Sequence, residues 1–264
     1  MLLQEPAESP YDIRFSFLGF PVRISWTFWL GAVVFGYGLV DSFDWALGMA
    51  SPGRAPLLLL WGLCMLVSIL IHELGHALAF RRYGIHASIV LYHFGGLAIP
   101  VGASLPGRSL VRLGQREDLL IALAGPVAQL ASAAAVVGVM KMVGYQLLVF
   151  SWMPAGLNRI PGMLEGAPID SAGLLAMVSF YIFPSVLWAL LNLIPVWPLD
   201  GGRIMRSILL MSGGDTQQSL WLSVIVAGAM AAYGFSGGQT FLGILFLMLA
   251  INNFQSLQHS GGWR

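Results

Sequence analysis

Leu57 to Phe80 reads LLLLWGLCMLVSILIHELGHALAF. A bilayer-crossing helix needs about 20 apolar residues, and this run supplies them with three ionisable side chains inside it: His72, Glu73 and His76. On a helix, residues four apart return to nearly the same face, so both imidazoles can bind one Zn²⁺ while Glu73, one step round, serves as general base toward water. Ionisable groups in a lipid-spanning segment are expensive and by default mark a function. With five histidines in the chain, His-Glu-x-x-His is rare by chance.

Composition agrees with a membrane setting. Hydrophobic residues make up 57% and charged ones 9%, and the mean hydropathy is +0.78. A net charge of +1, with 13 scattered Lys and Arg, leaves no basic field for nucleic acid. The single cysteine, Cys64, excludes an intrachain disulfide and a thiolate metal site.

Outward from the central run, apolar blocks predict six spans: about Ile24 to Val40, Leu57 to Phe80, Leu119 to Val139, Leu174 to Ile194, Leu220 to Phe235 and Phe241 to Phe254. The last two are short. Between the second and third, Ser88 to Phe94 reads as extended, and Gly95, Gly96, Pro100, Pro106 and Gly107 mark turns, so a small sheet or hairpin is expected there. Tyr145 to Asp170, rich in proline and glycine, reads as a loop or partly re-entrant stretch. The fold class is an all-α polytopic membrane protein with about six transmembrane helices and this small β region. One membrane-embedded domain is expected over 1–264, with an N-terminal segment at 1–23, a core at 24–258 and a tail at 259–264. The N-terminal stretch lacks a basic region followed by a cleavable apolar core, so no removable signal peptide is expected.

Charge asymmetry orients the spans. With the N-terminus inside, Arg14, Arg23, Arg81, Arg82, Arg108, Arg112, Arg116, Arg203, Arg206 and Arg264 fall inside, and only Arg54, Lys141 and Arg159 outside. Both termini are therefore expected in the cytoplasm, with the protein in the cell membrane. His72 and His76 then lie about 22 and 28 Å from the outer end of their helix, at a rise of about 1.5 Å per residue.

A zinc site of this type needs a third protein ligand and an open fourth position. Asp200 is the preferred candidate: it follows the fourth span and so shares the histidines' half of the membrane. Pro195 and Pro198 break the helix before it, and Gly201 and Gly202 allow close backbone approach. His86 and His93 follow the metal helix too soon, and His259 lies in the tail. Glu117 and Asp118 suit the N-terminus of the third span, where the helix dipole favours acids. Asp200 could also be a simple helix N-cap.

Four landmarks in order, His72-Glu73-Leu74-Gly75-His76, Phe94-Gly95-Gly96, Ala124-Gly125-Pro126 and Asn192-x-x-Pro-x-x-Pro-Leu-Asp-Gly-Gly to Gly202, resemble the site-2 proteases, zinc metalloproteases that cleave substrates within the membrane. The resemblance implies that His72, His76 and Asp200 bind one zinc ion and that Glu73 is the catalytic base. It further implies that Asn192 holds substrate or stabilises the oxyanion, and that Phe94, Gly95, Gly96 and Leu97 receive an unwound substrate by edge pairing. The implied substrates are membrane-spanning proteins, such as a tethered transcriptional regulator or a remnant signal peptide, cut in regulated intramembrane proteolysis. A separate adaptor or inhibitor protein and the lipid bilayer are the other expected partners.

The chain departs from the family pattern at Gln129, where members often carry Asn. No PDZ-like domain fits between the motifs and no nucleotide-binding CBS domain is expected after Phe254, so the resemblance is to a minimal core. A different class of function, a multi-span metal-ion transporter using the same His and Asp ligands, is the alternative.

Overall fold

Each apolar block of the sequence is a helix. The computed structural model describes residues 6–100 and 113–260. In chain order it has β1 (Ile13–Phe17), β2 (Phe20–Ile24), α1 (Thr27–Leu47), α2 (Arg54–Arg82), β3 (Ala87–Tyr92), β4 (Gly95–Pro100), α3 (Gln115–Met142), α4 (Ala172–Asn192), α5 (Asp200–Met211), α6 (Thr216–Ser236) and α7 (Thr240–Ser260). Among the described residues all the helices but α5, six of them, are long and apolar enough to cross a membrane, and the protein is multi-pass. The expected bounds need correction: the first span starts at Thr27 rather than Ile24, and the last two are full 21-residue helices. The expected turns at Pro106 and Gly107, and Arg108, Arg112 and Arg264, lie outside the described residues.

The β region is larger than the sequence suggested. A four-stranded sheet runs β1-β2-β3-β4, with β1 and β2 antiparallel, β2 and β3 parallel, and β3 and β4 antiparallel. The N-terminal hairpin, in a stretch expected only to precede the first span, supplies half of it. Its cause is local. Leu18 and Gly19 both have positive φ, 51° and 83°, which closes a two-residue turn whose twist suits the flanking strands. Arg23 in β2 donates to the Asp12 carboxylate at 3.0 Å and to the Pro6 carbonyl at 3.0 Å, tying the preceding chain to the sheet. The extended stretch proposed at Ser88 to Phe94 is shifted by one or two residues, because His93 and Phe94 form the turn into β4. Register places Leu91 opposite Gly96 and Val90 opposite Leu97. Among the described residues, β4 pairs with β3 alone.

The chain divides into two compact units. One holds the sheet, α1, α2 and Val127–Ala189, that is most of α3 and α4. Its helices pack around aromatic side chains. Trp61 of α2 donates to the Ala32 carbonyl at 2.8 Å, and the bare Gly36 on α1 makes room for its indole. Phe180 of α4 meets Phe43 and Trp61 at ring-centre distances of 4.9 and 5.7 Å. The expected loop at 145–170 is ordered by burial: Leu147, Val149, Phe150 and Met153 pack with Met140, Val178 and Ile182.

The other unit contains the start of α3 and everything described from Leu190 onward. Helices α6 and α7 form an antiparallel pair in which Gly234 faces the backbone of Gly243. Phe246, Ala227, Ala231 and Val196 form its core. The connection from α4 to α5 is held on both sides of Trp197: its N–H donates to Ser223 Oγ at 3.1 Å, and its carbonyl accepts from Asn253 Nδ2 at 2.7 Å. The Trp197–Pro198 peptide is cis. This segment delivers the chain to α5, a twelve-residue helix that the sequence reading did not foresee.

Candidate metal centre

His72, Glu73 and His76 lie in the C-terminal half of α2, at 2%, 5% and 4% exposure. The four-residue spacing sets the two rings one above the other, with their Nε2 atoms 3.1 Å apart. Two nitrogens bound to one tetrahedral zinc at about 2.0–2.1 Å stand about 3.3 Å from each other. The separation of the pair therefore matches a shared ion. The donor type fits as well, because imidazole suits zinc.

Behind His72 lies a polar chain. Nδ1 of His72 is 2.9 Å from Gln129 Oε1, Gln129 Nε2 donates to Ser68 Oγ at 2.8 Å, and Ser185 Oγ donates to Ser68 Oγ at 2.8 Å. All three partners are fully buried, on α3, α2 and α4. Ser68, His72 and His76 recur at four-residue intervals and form one polar stripe along α2.

Glu73 faces the sheet. Gly96 of β4 packs against its carboxylate so closely that a Cβ at Gly96 would stand 2.6 Å from Oε1. Tyr92, the last residue of β3, pairs with Gly95 and is buried. Burial first, and the negative charge of Glu73 second, push its hydroxyl pKa above the usual value.

The residues of the expected substrate strand sit together. Phe94 is in the β3–β4 turn, and Gly95, Gly96 and Leu97 open β4. Gly95 has φ 117°, and the Trp188 ring covers the place a side chain would take, 2.7 Å from a built Cβ.

Asn192 and Asp200 belong to the other unit. Asn192 is the last residue of α4 and half-buried. Asp200 is buried and lies in the first turn of α5, while Leu199 takes the N-cap position, so Asp200 is not the simple cap considered earlier. The two glycines after it have a steric cause. A Cβ on Gly201 would strike the carbonyls of Leu193 and Ile194, and one on Gly202 the backbone at Val196 and Trp197. Arg203 donates to Asp118 at 2.7 Å and Ser207 to the same carboxylate at 3.3 Å, which fixes α5 to the start of α3.

The rejected ligand candidates are occupied elsewhere or exposed. His93 contacts Thr27 Oγ1 at 3.1 Å, His86 is exposed, and His259 lies within 2.7 Å of the Gln255 carbonyl at the end of α7. Sequence reasoning missed Tyr92, Ser68 and Ser185, and gave Gln129 no role. The four-residue step from Ser68 to His72 in an otherwise apolar run was the signal available for the first link of that chain.

Comparison with known proteins points one way. The model of the family described as Peptidase family M50 matches residues 61–232. A Synechocystis sp. protein named "Putative zinc metalloprotease sll0528" is 30% identical over 254 residues, covering 92% of this chain and 55% of the relative. A Methanocaldococcus jannaschii protein named "Zinc metalloprotease MJ0392" is 28% identical over 204 residues, covering 75% of this chain and 46% of the relative. The chain thus spans about half the length of these curated relatives. A solved structure, Site-2 Protease from Methanocaldococcus jannaschii, is similar with a TM-score of 0.48 and 25% sequence identity, over 94% of this chain and 96% of that one.

Proposed function

The chain belongs to peptidase family M50, and from that premise we propose that it is an intramembrane zinc metalloprotease that hydrolyses peptide bonds within or near transmembrane segments of tethered substrates. The observation that carries the proposal is the meeting, in one unit, of a buried imidazole pair with the Glu73 carboxylate lying against the edge strand β4.

The residue roles are part of the proposal. His72, His76 and Asp200, all buried, hold one zinc ion. When bound, zinc supplies Lewis acidity, polarising a carbonyl and acidifying water. Glu73 takes the proton from the attacking water and returns it to the leaving amine. The Asn192 side-chain amide donates to the oxyanion as it forms.

A helical substrate shields its amides in its own hydrogen bonds, so it must unwind before reaction. Among the described residues no strand pairs with β4 on the side away from β3, and that edge is the lane proposed for the unwound segment, with Phe94 to Leu97 as its entry. Glycine at 96 lets the backbone of that lane approach the acid. The likeness of the sequence to the family supports a core over 24–258 acting as one catalytic domain.

The bias of basic residues supports a place in the cytoplasmic membrane with both termini in the cytoplasm. Substrates of this reading are a membrane-tethered transcriptional regulator or a remnant signal peptide, and a separate adaptor or inhibitor protein would set access. No observation favours the metal-ion transporter. Metal analysis of the purified protein tests the ligand set: one zinc per chain is expected, with marked loss in His72→Ala and Asp200→Asn. Full zinc retention in Asp200→Asn would remove that residue from the site.

A further inference from the structure

We infer that Gln129 is the positioning residue for His72, and that Ser68 and Ser185 hold Gln129 in the orientation this task needs. The inference rests on the metal-site proposal above and deepens it.

The geometry leaves little freedom. A side-chain amide oxygen only accepts hydrogen bonds, so the 2.9 Å contact requires that His72 Nδ1 carry the proton. The imidazole is then fixed as the tautomer whose lone pair is on Nε2, the nitrogen that faces His76 Nε2 at 3.1 Å. A flipped amide would set two donors against each other at Nδ1 and lose the ligand form of the ring. The next link favours the unflipped amide, because Gln129 Nε2 donates to Ser68 Oγ at 2.8 Å and Ser68 Oγ already serves as acceptor to Ser185. Ser68 is fixed in turn by the hydroxyl of Ser185, 2.8 Å away.

Cost supports a purpose. Gln129 is 0% exposed inside a membrane-spanning helix, as are Ser68 and Ser185. Burying an amide and two hydroxyls among helices that could pack through leucine and alanine is unfavourable unless every group is satisfied. Here three helices, α2, α3 and α4, each contribute one group to a chain that ends on a metal ligand. Outer partners of this kind fix a ligand ring and raise its basicity, and their loss costs about 10- to 100-fold in metal affinity.

The test uses the full chain in detergent micelles, with zinc titrated against a chromogenic chelator and the thermal midpoint of the zinc-free protein followed in parallel. Gln129→Met, similar in length and without an acceptor, is expected to weaken zinc binding about 10- to 100-fold. Gln129→Glu restores the acceptor and is expected to recover affinity to the wild-type level or above. Ser68→Ala frees the amide to flip without touching His72; it is expected to weaken zinc in the same direction by a smaller factor, and it decides the matter should Gln129→Met not fold. Wild-type affinity in Gln129→Met or in Ser68→Ala, or a Gln129→Glu protein as weak as Gln129→Met, overturns the inference. Should the wild type itself take up no zinc, or His72→Ala take up as much, the metal centre falls first and the positioning role with it.

Discussion

Gly96 presents a bare α-carbon to the carboxylate of Glu73: a methyl group there would lie 2.6 Å from Oε1. The closeness ties the acid on α2 to the strand proposed to receive substrate. Gly96→Ala is expected to displace the carboxylate and cut kcat/KM about 100-fold, the scale on which a misplaced catalytic group loses rate. Zinc content should stay at the wild-type level. Steady-state cleavage of a membrane-embedded reporter with parallel metal analysis checks both.

Gly201 meets backbone rather than a side chain. Carbonyls of Leu193 and Ile194 stand where its Cβ would go, and they cannot rotate away. Gly201→Ala is expected to destabilise the α4–α5 connection by about 1–3 kcal/mol and to loosen zinc, since Asp200 is its neighbour. Gly138, in α3, has open space around it. Gly138→Ala should be neutral or stabilising by about 0.5–1 kcal/mol. Thermal unfolding of the two variants in one detergent separates them.

The N-terminal hairpin carries its own pH dependence. Burial raises the Asp12 carboxyl pKa, but hydrogen bonds from the Ser9 amide, Arg23 and the Trp26 amide, with the charge of Arg23, overcome this and hold it below its ordinary 3.8. A carboxyl whose folded pKa is depressed stabilises fully above the unfolded value and loses that contribution as pH falls through the folded one. The thermal midpoint should therefore drop below about pH 4, and Asp12→Asn should flatten the dependence. Arg23→Met is expected to cost about 1–3 kcal/mol at neutral pH.

On the proposed edge pairing, a helical substrate has to unwind before it can pair along β4. Placing Gly or Pro near the cleavage site of a model transmembrane substrate is expected to raise turnover several-fold, and leucine or alanine there to lower it. Equal rates for a rigid and a broken helix, measured by gel-resolved product formation, would count against edge pairing.

The membrane helices and the buried imidazole pair of α2 were legible in the sequence because both rest on local signals: run length, and a four-residue spacing of unusual side chains. The N-terminal hairpin's place in the sheet was not legible there. Ile13, Phe15 and Phe17 alternate in five residues, too short a run to distinguish a strand from an extended tail, and parallel pairing of Val22 with Ile89 is a contact between distant residues. Helix α5 was hidden for a different reason. Pro198, Gly201 and Gly202 read as loop, and only the close packing of those glycines on the Leu193–Trp197 backbone makes a helix start there. Gln129 was visible as a departure from a family pattern, yet its link to His72 spans 57 positions in the chain. Asp200 was legible only by its place after the fourth span; the helix start that buries it rests on packing the sequence does not display.

Glu73→Gln tests the central claim most directly, because it keeps the shape of the acid and removes only its capacity to take a proton. Wild type and variant are reconstituted in vesicles with a single-span substrate, and zinc content and cleavage are measured on the same samples. The expected result is one zinc per chain in both and cleavage in the wild type alone, abolished by chelation and restored by zinc. Cleavage by Glu73→Gln at the wild-type rate, or undiminished cleavage by the metal-free wild type, would contradict the account.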